Sequence, residues 1–234
     1  MKIMKIAGAA CIAVGLLALG LCVRSGLKSL TDSQRTVEVR GLATREVPAN
    51  QVTWPIVFTQ TGNDLPAVYD NVTGTNARIV KFLTDNGIDT KEISVGAPSM
   101  TDLTANRYNS NPLPYNYSVT SVVTVSSAQV TKVRKLINRQ GELLKQGIPI
   151  TTDNYQYQVS YDYTELNTVK PEMIAEATKN AREAAKKFAE DSDSEIGKIK
   201  SARQGQFSIE NRDSYTPYIK EIRVVTTLTY FLED

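Results

Sequence analysis

The chain predicts an α+β fold in which antiparallel sheets pack with helices. Three observations lead there. Apolar residues alternate between a period of two and a helical period along the chain, the first two helical stretches end at glycine, and one order of elements comes round twice. The predicted plan is two strand-helix-strand-strand units joined by a central helix, with an N-terminal transmembrane helix ahead of them.

The N-terminal segment is the first element. Lys2 and Lys5 precede eighteen uncharged, mostly apolar residues from Ile6 to Val23, and Arg24 and Lys28 follow. At about 1.5 Å per helical residue the run is roughly 27 Å long, close to a bilayer's hydrocarbon core. Ile6, Ile12, Val14, Leu16, Leu17, Leu19, Leu21 and Val23 are its membrane-facing candidates. Residues 1–35 thus read as anchor and polar stalk, and 36–234 as the exported domain. The leading positive charges favour a cytoplasmic amino terminus, which makes the protein single-pass with its C-terminal domain exported. The alternative is a cleaved signal, with Ala18-Leu19-Gly20 as a small-x-small site and a soluble exported product. A lipid on Cys22 fits less well, because Leu21 occupies the position where a small residue is usual.

Strands at Thr36 to Val47 and Val52 to Phe58 flank Pro48-Ala49-Asn50 and read as an antiparallel hairpin. Pro55 lacks an amide donor and puts the second strand at an edge or a bulge. From Leu65 the period becomes helical through Val68, Val72, Ile79 and Phe82, with Asn63 or Asp64 as cap and Asn86-Gly87 as stop. Strands follow at Glu92 to Pro98 and Tyr117 to Val125. A helix with Val130, Val133, Ile137 and Leu144 on one side ends at Gly147 and Pro149. Tyr155 to Tyr163 alternates tyrosine and valine with polar residues as a strand, its rings reading as cover for a helix or sheet. The third helix opens at Pro171 and lines up Ile174, Ala177, Ala181, Ala184, Ala185 and Phe188. Strands at Gly197 to Gln206 and Ile219 to Leu232 complete the chain. The recurring order begins near Gln51 and again near Asp153, and each time its last two strands are linked by a long polar loop, Met100 to Pro114 and Gly205 to Pro217.

Composition excludes much chemistry. Five of the 27 basic and one of the 25 acidic residues fall in the first 35, so the exported part carries a net charge of −2 and offers no basic surface for nucleic acid. Lys132, Arg134, Lys135 and Arg139 read as a solvated helix face. Both cysteines, Cys11 and Cys22, lie in the apolar run and the chain has no histidine, which removes thiol and histidine catalysis, disulfides and the usual zinc sites from the domain. Asp191-Ser-Asp193-Ser-Glu195 opens like a calcium loop, but Ile196 stands where glycine is required. No catalytic, cofactor or metal residues are assigned, and no cofactor is implied. The partner-contact candidates are Asn106, Tyr108, Tyr115, Tyr215 and Tyr218 on or beside the two polar loops, a mixture of rigid aromatic surface and adaptable amides.

The stretches VEVRGLATREVPANQVTWPIVFTQTGNDL, EISVGAPSMTD, KVRKLINRQGELLKQGI and AEATKNAREAAKKFAED followed by IGKI together resemble the SIMPL-domain family of bacterial exported proteins over residues 36 to 234. The sequence departs from that pattern at Asp191 to Ser194, where leucine and glycine are usual. The resemblance implies a mixed helix and sheet fold, the periplasm or cell envelope, and association with oxidative or envelope stress, so the anchor would lie in the inner membrane with the C-terminal domain in the periplasm, or signal cleavage would leave a soluble periplasmic protein. Some relatives form ring-like or channel-like oligomers, and no catalytic residues come with the family.

The expected function is therefore non-enzymatic, through homo-oligomeric assembly or partner binding at a membrane, with any small-molecule ligand unknown. One alternative is a periplasmic small-ligand binder whose cleft is lined by the tyrosine strand. A second is a carboxylate-based hydrolase of envelope polymers using Asp162 and Glu165.

Overall fold

The computed structural model describes residues 15–16, 19–23, 35–105, 114–151 and 155–233. In chain order the elements begin with strands β1 (Thr36–Pro48) and β2 (Gln51–Gly62), helix α1 (Leu65–Asp85), one 3-10 turn (Thr90–Glu92), and strands β3 (Ile93–Val95), β4 (Ser99–Asp102) and β5 (Tyr117–Ser127). Helices α2 (Val130–Asn138) and α3 (Gly141–Lys145) come next, then the short strands β6 (Ile150–Thr151) and β7 (Ser160–Asp162). Helix α4 (Leu166–Asp191) and strands β8 (Glu195–Gln204), β9 (Ser208–Asn211) and β10 (Ile219–Glu233) end the chain. The fold is α+β, and the strand pairings whose register is resolved are antiparallel.

The chain divides into two compact units. One comprises Glu46–Leu166 and Glu210–Glu221, and its sheet has the order β3-β5-β2-β6, with β4 also on β5 and β7 also on β2. Strands β2 and β5 pair over their whole length, from Val52 opposite Ser127 to Gly62 opposite Tyr117. On the other side of β2, β7 covers Gln51 to Thr53 and β6 covers Val57 and Phe58, so Pro55 falls in the gap between them. Val52, Trp54, Ile56 and Phe58 of β2 and Val119, Val123 and Val125 of β5 form one buried face. The helices supply Val72, Ile79 and Leu83 from α1, Val133 and Leu136 from α2, and Leu143 from α3. Each such side chain contributes about 1.5–3 kcal/mol by leaving water. The buried Ser121 hydroxyl bonds the Asn76 side chain of α1 at 3.0 Å, which satisfies the polar position in the alternating run.

The second unit comprises Met1–Arg45, Asn167–Ile209 and Ile222–Asp234. Here α4 buries Met173, Ala177, Ala181, Ala185 and Ala189, one residue in four, along a narrow ridge of small side chains. The ridge is matched by Gly41 of β1: a Cβ at that position would overlap the Ala177 carbonyl oxygen and the Ala181 amide nitrogen and stand 2.8 Å from the Ala181 Cβ. Strand and helix backbones therefore touch. Asn180 donates to the Leu42 carbonyl at 2.8 Å and Arg45 pairs with Glu172 at 2.8 Å, fixing α4 along the strand.

The recurrence is present in the topology, with one strand reassigned. Starts at Leu65, Ile93 and Tyr117 for the helix and the two strands after it are echoed at Leu166, Glu195 and Ile219. In each sheet the unit's last strand lies between its other two, in the orders β3-β5-β2 and β8-β10-β1. The second unit's first strand is β1, not the tyrosine strand. That segment is a strand only at Ser160–Asp162 and pairs with β2, although burial still alternates from Tyr157 to Tyr163. The expected hairpin of β1 and β2 does not form, since the two strands belong to different sheets.

The predicted joining helix is two helices, α2 and α3, and both pack in the first unit's core instead of bridging units. Helix α4 starts at Leu166 and carries Pro171 inside it, while Ala184 and Phe188 of the predicted stripe are exposed. Asp64 sits at the α1 N-cap without a side-chain cap bond, and Asn63 instead donates to the Pro114 carbonyl and accepts from Asn116 N–H. Among the described residues no helix is long and apolar enough to cross a membrane. Of the anchor segment only residues 15–16 and 19–23 are described, as helix, so the transmembrane expectation lies mostly outside the described residues.

Gly41→Ala is expected to destabilise the chain by about 2 kcal/mol or more, because backbone would have to yield. Gly74→Ala, in mid α1 with nothing within 4 Å of the new methyl, is expected to stabilise by about 0.5–1 kcal/mol. Urea unfolding followed by circular dichroism checks both.

Candidate functional site

The second polar loop is an ordered structure built on one carboxylate. Asp213 Oδ1 accepts the N–H groups of Tyr215 at 2.8 Å and Thr216 at 2.6 Å, while Oδ2 accepts Arg212 Nε at 3.0 Å and the Thr216 hydroxyl. Arg212 also reaches Glu46 at 3.2 Å and donates to Thr216 Oγ1 at 2.9 Å, so one guanidinium joins the loop to β1. The backbone closes the turn, with Arg212 N–H on the Ile219 carbonyl and Ile219 N–H on the Thr216 carbonyl. The hydrogen bonds from Thr216 and Arg212 hold the Asp213 carboxyl far below the ordinary carboxylate range. Tyr215 stands on this turn with 93% of its surface exposed.

Tyr218, three residues on, plays a different part. The Arg134 guanidinium of α2 lies 3.3 Å from its ring centroid, and the Tyr161 ring meets it edge-on with centroids 6.2 Å apart. Burial pushes the Tyr161 phenol above its ordinary value, and the Arg134 charge offsets part of that rise. Tyr218 is thus half-buried in a stack that supports the loop from beneath.

Of the first loop, Asn106 and Tyr108 lie outside the described residues. Its base is anchored: Asp102 Oδ1 accepts the Thr104 N–H at 2.7 Å and hydroxyl at 2.6 Å, and Leu103 N–H bonds the Asn116 carbonyl. Tyr115 is 45% exposed beside it. Both loops begin with strand structure, β4 in the first and β9 in the second, which the polar composition hid. The structure therefore puts Tyr215 alone at full exposure among the described candidates.

The basic cluster on α2 and beyond is mostly engaged. Lys132 donates to the Gly87 carbonyl at 2.8 Å, Arg134 stacks on Tyr218, and Arg139 binds Glu142 at 2.7 Å and the Asn86 side chain at 3.0 Å. Asp162 is an exposed residue of β7 opposite Gln51, and Glu165 is exposed just before α4. Trp54 is buried in the core under the helices. Among the described residues no three carboxylate or cysteine side chains converge as a metal site.

Asp213 and Arg134 are the residues that sequence reasoning missed. The run Asp213-Ser-Tyr-Thr216-Pro carries a legible signal, since an aspartate two and three residues before free amides favours an Asx turn. Arg134 had no such signal. Its partner is 84 positions away in sequence and meets it only in the folded unit.

The family model SIMPL, described as a protein of unknown function (DUF541), matches residues 37–226, and the chain belongs to that family. No curated protein matches the sequence.

The lowered Asp213 pKa fixes the sign of a pH effect. An ionised carboxylate favours the ordered loop above the unfolded-state value near 4, and that contribution disappears only as pH falls through the much lower folded value. Hydrogen exchange at the Tyr215 and Thr216 amides is expected to stay protected at pH 5, relative to the intrinsic rate at that pH. Asp213→Ala is expected to speed it about tenfold or more at the same pH, since two N–H groups lose their acceptor.

Proposed function

We propose that this is an exported envelope protein held at the inner membrane by residues 6–23, with its α+β domain in the periplasm. It works without catalysis, by homo-oligomeric assembly or partner binding, in protection against envelope or oxidative stress. The stress role follows from the family resemblance, and the mode of action from the surface.

The observation that carries the reading is Tyr215, 93% exposed on a turn locked by four hydrogen bonds to Asp213. An aromatic ring held clear of its own fold offers contact area, and the preformed turn lowers the entropy lost on binding. Copies anchored in one membrane share a surface, which raises their effective concentration, so modest contacts suffice. The exported part is nearly neutral and adds little mutual repulsion.

A photo-crosslinking phenylalanine analogue placed at position 215 of the full-length chain in membranes tests this. The expected product is a discrete adduct, at twice the chain mass for self-assembly or with one defined partner otherwise. Irradiation that yields no adduct contradicts the reading.

A further inference from the structure

A groove on the first unit takes no part in the loop and opens between the start of α1 and β4. Its volume is about 460 Å³, within the range of small-molecule sites. Leu65, Pro66 and Tyr69 of α1 form one wall, Pro98 and Met100 the other, and Val119 of β5 the floor. Tyr69 and Met100 remain 54% and 51% exposed across the gap. Two large side chains thus stand in water on opposite walls.

The groove's one charged lining residue is Asp70, which follows Tyr69 in α1. Among the described residues no hydrogen bond or ion pair engages Asp70. From Asn63 to Ala77 there are two acidic residues, Asp64 and Asp70, and no lysine or arginine. Residues 93–105 and 114–131 hold Asp102 and no basic side chain, and Arg107 lies between these two stretches in the sequence. As the one charged residue lining the groove, Asp70 repels an anionic ligand and attracts a cationic one.

We propose that this groove is a binding site for a small organic cation with an aromatic or branched apolar body. The body lies against Pro66, Pro98, Met100 and Val119. The ammonium sits at the Asp70 carboxylate and over the Tyr69 ring, where attraction to a charge and to an aromatic face add. The site is separate from the Tyr215 loop and does not require assembly.

Calorimetric titration of the full-length chain in lipid nanodiscs, with empty nanodiscs subtracted, tests the proposal with three probes of one shape: phenethylamine, 2-phenylethanol and phenylacetate. The amine is expected to bind saturably and about fivefold or more tighter than the alcohol, with the acid weakest. Asp70→Asn is expected to remove the amine's advantage, and Met100→Trp, which fills the groove from an exposed position, to abolish binding. Absence of saturable binding by the wild-type chain, equal affinity for amine and acid, or an unchanged amine affinity in Asp70→Asn would each overturn it. The probe comparison is made on the wild-type chain, so its outcome does not depend on how well a variant folds.

Discussion

The hydrogen bonds from Ala49 N–H to the Tyr218 carbonyl at 2.9 Å and from Asn50 N–H to the Asp162 carbonyl at 3.0 Å hold the chain where β1 gives way to β2. The Asn50 side chain adds bonds to the Thr164 amide at 2.9 Å and hydroxyl at 3.3 Å. With both amides bonded to residues distant in sequence, the two residues between β1 and β2 do not close a hairpin. The strand partners change accordingly: β1 joins β10, while β2 joins β5, β6 and β7. Each sheet thereby obtains its first strand, and the strand-helix-strand-strand order can be satisfied twice.

The two units solve the same packing problem with different side chains. In the first, bulky residues of β2 and β5 meet branched and aromatic residues from three helices, and burial of apolar area supplies the stability. In the second, glycine meets alanine, so strand and helix approach closely enough for backbone contact and dispersion. The alanine ridge of α4 has no counterpart among the large residues of α1. That divergence explains why a shared order of strands leaves no repeat at the level of residues.

Period and punctuation carried the local elements well. The buried face of β5, the apolar stripe of α1 and the stop at Gly87, whose φ is +81°, all follow from neighbours in sequence. What sequence could not carry was long-range choice. Nothing near Thr36 says that β1 pairs with the end of the chain, and nothing near Arg134 announces Tyr218. Loop order was hidden for a related reason: polar composition describes both a loose tip and one pinned by Asp213, and the difference lies in which acceptor meets which amide. The groove at Asp70 was equally silent, since its walls come from elements that are ordinary one at a time.

The central claim is that an anchored domain with a rigid aromatic tip works by association, and the mass of the full-length protein extracted in detergent, read by native mass spectrometry beside a chain beginning at Thr36, tests it most directly. The account predicts a discrete complex larger than one copy with residues 1–35 intact, and a smaller species from the shortened chain. A processed monomer in both samples would contradict it.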